Sequence, residues 1–122
     1  AKAMGTMLKE LHGKPSEETG FLGHQQFGRY DMAQYWRSFD HLEAYARSKD
    51  AAHWPAWIEF NRAMKGARED VGIWHETYQV QAGAYEAIYS GMPTFGLGKA
   101  SNLVPATGNR EAARQRMRIA AE

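Results

Sequence analysis

Apolar positions along this chain follow two rhythms, one of every three or four residues and one of every second residue. Met4, Met7, Leu8 and Leu11 repeat at helical spacing, which predicts a helix over Ala3 to Leu11, ended by Gly13-Lys14-Pro15. The rhythm then becomes two. Phe21, Gly23, Gln25 and Phe27 share one side of a predicted strand, and Gly28-Arg29-Tyr30-Asp31 is a tight connection to a second strand, Met32 to Arg37. Two strands so joined pair antiparallel. On the second, Met32, Gln34 and Trp36 share one face, and Ala33, Tyr35 and Arg37 share the other.

Helical spacing resumes at Ser38, whose hydroxyl suits an N-cap, with Asp40 placed to favour the helix dipole in the first turn. Phe39, Leu42, Tyr45 and Ala46 form the inward stripe. A break is expected near Lys49-Asp50, followed by a second helical piece from about Trp54 to Met64. Pro55 fits its first turn, where no N–H is needed. Gly66 to Asp70 reads as loop, and Val71 to Val80 as the chain's strongest strand. Beyond Gln81 the pattern weakens. Tyr85 to Tyr89 predicts a short edge strand, Ser90 to Ser101 an ordered loop, and Asn109 to Ala120 a short polar helix.

The order helix, strand, strand, helix, strand is that of a ferredoxin-like α+β unit lacking its first strand. Residues 1–108 would form this single domain with its C-terminal loop, and 109–122 a polar helical tail. An antiparallel sheet with helices on one face leaves the other face bare. Two such sheets packed together would cover it, which predicts a homodimer.

Composition narrows the function classes. A chain of 122 residues with 43% hydrophobic and 24% charged residues is an ordinary globular domain. The net charge of +1 and dispersed basic residues give no footprint for nucleic acid. Arg110, Arg114, Arg116 and Arg118 crowd the tail, where a solvated helix end is expected. The absence of cysteine excludes disulfides, thiolate metal sites and a cysteine nucleophile, and fits a cytoplasmic protein. No apolar run approaches the roughly 18 residues of a membrane span, so no membrane partner is expected.

Candidate chemistry is sparse. His75 and Glu76 are adjacent on the predicted strand and so point to opposite faces. His75, beside Val71, Ile73 and Thr77, has the chemistry of a general base or an iron ligand. A histidine bonded to a backbone carbonyl would show the same pattern. His53 lies at the junction of the two helical pieces; His41 reads as exposed, and His12 and His24 have no evident partners. Histidine spacing of the metal-binding kind is absent, so no non-haem metal is expected. Gly96-Leu97-Gly98-Lys99-Ala100-Ser101 lacks the full spacing of a phosphate loop.

Tyr35-Trp36-Arg37-Ser38 with Leu42-Glu43-Ala44-Tyr45-Ala46-Arg47 resembles the second-helix start of the dimeric α/β-barrel superfamily. That superfamily includes antibiotic-biosynthesis monooxygenases and haem-degrading monooxygenases. Gly20-Phe21-Leu22-Gly23, Val71 to Tyr78, and Met92 to Lys99 resemble an uncharacterised bacterial branch labelled as monooxygenase proteins, with spheroidene monooxygenase a distant relative. The resemblance implies a ferredoxin-like dimeric α/β barrel holding a small apolar or aromatic ligand. Relatives carry an N-terminal segment with a first strand that is missing from this chain.

By the same resemblance the activity is of monooxygenase type, either haem-dependent or cofactor-free. In haem-degrading relatives a histidine in the region of His53 binds iron, which makes His53 the cofactor candidate. In cofactor-free relatives Trp, Tyr and His line the cavity, which makes Trp36, His75 and Tyr78 the catalytic candidates, with Arg37 to hold an anionic oxygen. A non-catalytic ligand-binding or stress-related dimer is the alternative.

Overall fold

A computed structural model describes residues 2–48, Ile58, Arg62 and 72–118. The chain divides into two compact units, one of Ala1–Phe21 with Trp36–Thr77 and one of Leu22–Tyr35 with Tyr78–Glu122. The second helical piece expected over 54–64 lies outside the described residues, except that Ile58 and Arg62 are helical. The loop over 66–70 and His53 also lie outside them.

In the first unit, helix α1 spans Lys2–Gly13 and a one-turn helix α2 spans Ser16–Thr19. Pro15 separates them, because it cannot donate into a continuing helix and sits extended at ψ 141°. Helix α3 spans Phe39–Arg47 and starts where the sequence places its cap: the His41 N–H donates to Ser38 Oγ at 3.2 Å. Among the described residues, Leu11 and Phe21 are the most deeply buried apolar side chains, at 2% and 4% exposure. Around Phe21 the rings interlock edge to face, with His12 at 5.1 Å and Trp36 at 5.2 Å between centroids. Trp36 in turn lies 5.8 Å from Tyr45 of α3. His12 therefore has a partner that its sequence neighbourhood did not reveal.

The second unit is built on a hairpin. Strands β1, Phe21–Phe27, and β2, Asp31–Trp36, form a two-stranded antiparallel sheet. The turn between them holds Gly28 at φ 70°, which a side chain would resist. Gly23 of β1 is buried because Ala100 packs against it, only 2.9 Å from where a Cβ would stand. Ala100 ends a 3-10 helix over Gly96–Ala100. A second 3-10 turn, Gly108–Arg110, precedes α4, Ala113–Arg116.

These elements make an α+β structure compatible with a ferredoxin-like arrangement. Two expected strands differ. Residues 72–81 and 85–89 form neither helix nor ladder among the described residues. A strand satisfies its backbone only against a neighbour, and alternation along one segment does not provide that neighbour. The helix expected over 109–120 is also shorter than its pattern. It ends at Arg116, and Arg118 two residues on adopts a left-handed φ of 55°.

Arg116 departs from the solvated tail expected of it. Its guanidinium pairs with Glu86 at 2.9 Å and also donates to the carbonyls of Arg110 and Glu111. Among the described residues no helix is long and apolar enough to cross a membrane.

Candidate functional site

Trp36 is the most closely packed of the sequence-derived candidates among the described residues. Its ring is held between Phe21 and Tyr45, and the next residue, Arg37, donates its backbone N–H to Gly20 O at 2.7 Å. That bond closes the open end of the hairpin. Arg37 itself is exposed, so its guanidinium is available to an anionic group.

His75 lies in the segment 72–80, every residue of which is exposed. Its neighbour Trp74 is 72% exposed, and Tyr78 is 75% exposed. Trp36 and His75 belong to the first unit and Tyr78 to the second. The described residues give the aromatic cluster around Trp36 ring contacts on two sides, whereas the His75 segment is exposed throughout. His53 lies outside them. Among them, no three His, Asp or Glu side chains come together as metal ligands.

A residue read as exposed from sequence has a more defined setting. His41 is half-buried, and its Nδ1 sits 2.6 Å from Ser38 Oγ. The ring rests on Gly20, which is buried at φ 76°, and a Cβ there would come within 2.3 Å of the ring. Only glycine fits both the backbone angle and the space. The signal was present in the spacing: His41 stands three residues after the cap, the position whose side chain reaches back to it. Beside this ring is a cleft of about 240 Å³ lined by Lys14, Glu18, Thr19, His41, Tyr45 and Ser48.

In the second unit, the amides of Gly96 and Gly98 are already engaged and so do not cradle a phosphate. Gly96 N–H donates to Gln25 Oε1 at 2.9 Å, and Gly98 N–H donates to the Tyr89 hydroxyl at 2.9 Å. The Tyr89 hydroxyl in turn donates to Phe95 O. Phe95 also meets Phe27 of β1 at 5.5 Å. Burial first, and then the Tyr89 phenol, raise the Tyr35 pKa above the ordinary tyrosine value. Tyr35 stays a neutral phenol under the 96–100 turn.

A family model described as monooxygenase af470-like matches residues 1–97. The chain belongs to that family. No curated protein and no solved structure matches the chain. Membership in the monooxygenase af470-like family covers both strands of the hairpin, the Trp36 cluster, the His41 cleft and the exposed 72–80 segment.

Proposed function

We propose that the protein is a monooxygenase-type oxidoreductase acting on a small apolar or aromatic molecule, in a cavity completed when two copies bring their sheets together. Family membership over residues 1–97 carries the reading. Its structural support is the row of exposed apolar side chains at Ile73, Trp74, Tyr78 and Val80. Of these, Trp74, Tyr78 and Val80 recur at even positions, a spacing suited to one covered sheet face, and a second copy would supply the cover.

Within that cavity His75 is the base that takes a proton from the substrate. Arg37 holds the oxygen on which negative charge develops. The described residues do not fit haem. His75 stands exposed to water, and the cleft at His41 falls below the usual span of about 300–1,000 Å³ for small-molecule sites. The exposure of His75, Trp74 and Tyr78 also favours a second reading, a ligand-binding dimer without chemistry.

Oxygen uptake, measured against a panel of hydroquinones and polycyclic phenols, separates the two. Uptake that falls about 10²–10⁴-fold in His75→Ala supports the oxidoreductase, with His75 as its base. Substrate binding with no uptake by the unaltered protein supports the non-catalytic dimer. A stoichiometric Soret shift on haem titration, lost in His53→Ala, would replace the cofactor-free reading with a haem-dependent one.

A further inference from the structure

The span from Ala84 to Ser90 lies between two glycines, Gly83 at φ 82° and Gly91 at φ 66°, both in the left-handed region. Glycine at each end lets a short span swing, because the residue turns through large backbone angles at small steric cost. Among the described residues, side chains fasten the span to the rest of the second unit at two places. Glu86 accepts the Arg116 Nε–H at 2.9 Å, and the same guanidinium is held within the tail by the carbonyls of Arg110 and Glu111. Three residues on, the Tyr89 hydroxyl accepts the Gly98 N–H and donates to Phe95 O. The Tyr89 ring lies over Gly98, which is buried, and a Cβ there would come within 2.5 Å of it. Tyr85 and Ile88 of the span remain half exposed.

We propose that residues 84–90 form a hinged flap, latched at Glu86 and at Tyr89, whose opening uncovers Gly98 and the 96–100 turn. The two latches differ in kind. The Arg116–Glu86 pair is sheltered, its side chains 15% and 25% exposed, so dissolved salt screens it weakly. Loss of one partner leaves the other charge stranded, which makes removal of a partner the effective way to undo it. The Tyr89 latch is neutral and closes directly on the turn. Tyr89 also helps to raise the Tyr35 pKa, after burial, so opening withdraws one of the causes that keep that phenol protonated.

The test follows amide exchange in the whole chain, with Gly98 as reporter and Gly96 as control. Both amides belong to one turn, but Gly98 bonds to the flap whereas Gly96 bonds to Gln25 of β1. Glu86→Gln unfastens the latch three residues from Tyr89. It should accelerate Gly98 exchange at least about tenfold and leave Gly96 within about twofold. Arg116→Lys keeps the charge but loses the planar fork that reaches Glu86 and the tail carbonyls together, and should give a smaller acceleration at Gly98 alone. In Glu86→Gln the Tyr35 phenol should also ionise at lower pH than in the unaltered chain. Unchanged Gly98 exchange in both variants would overturn the flap. So would equal acceleration at Gly98 and Gly96, which marks a loosening of the whole turn.

Discussion

Strand β1 and the segment 72–80 carry the same alternating signature and meet different fates. In β1, Phe21 and Gly23 are buried: β2 returns across a three-residue turn to pair with it, and Ala100 packs on its glycine. In 72–80 every residue is exposed, including Ile73 and Trp74. Alternation states that a segment suits a sheet. Whether the sheet forms depends on where its neighbour comes from, and a hairpin carries its neighbour with it.

The contrast can be broken hardest at the entry to β1. Gly20→Ala forces a side chain into a left-handed φ and against the His41 ring. The backbone conformation costs about 1–2 kcal/mol and the overpacking about 1–3 kcal/mol, so a loss of about 2–5 kcal/mol is expected in chemical denaturation. A loss below about 1 kcal/mol would mean that the corner relaxes freely and that the ring is not fixed. Within the strand, Gln25→Ala leaves the buried Gly96 N–H without its acceptor. About 1–3 kcal/mol should be lost, with amide exchange at Gly96 accelerating.

The other side of the comparison predicts the smallest effect. For a single copy in dilute solution, Ile73→Ser should change stability by less than about 0.5 kcal/mol, because the side chain already meets water. The same substitution measured at rising protein concentration sharpens the contrast. If two copies cover the segment, the variant should lag behind the unaltered chain as concentration increases. A variant indistinguishable at every concentration would count against the dimer.

The parts of the fold that were legible in the sequence are those whose causes are local. Helix α1, the bounds of β1, the turn at Gly28, the Ser38 cap and the ordered loop containing 96–100 each depend on neighbours a few residues away, and each was readable. The parts that were not legible depend on distant contacts. The His12–Phe21 pair joins a helix end to a strand, and Arg116 reaches Glu86 across thirty residues of sequence. Neither leaves a periodic trace. The site divides the same way. Trp36 could be placed at the end of β2 beside the Ser38 cap because alternation and capping are local, whereas its contacts with Phe21 and Tyr45 were not legible. The role of His41 depended on Gly20, twenty-one positions earlier, whose left-handed angle no composition reports.

The 96–100 turn bears on where one may cut or join this chain. The family's shared sequence stops at Leu97, yet Gly98 holds the Tyr89 hydroxyl, Ala100 covers Gly23, and Arg116 closes on Glu86. A fusion or truncation planned at the edge of the shared sequence would thus pass through the middle of a packed corner. Residues that close this corner lie beyond the family match, so the boundary of kinship and the boundary of mechanical integrity fall at different places.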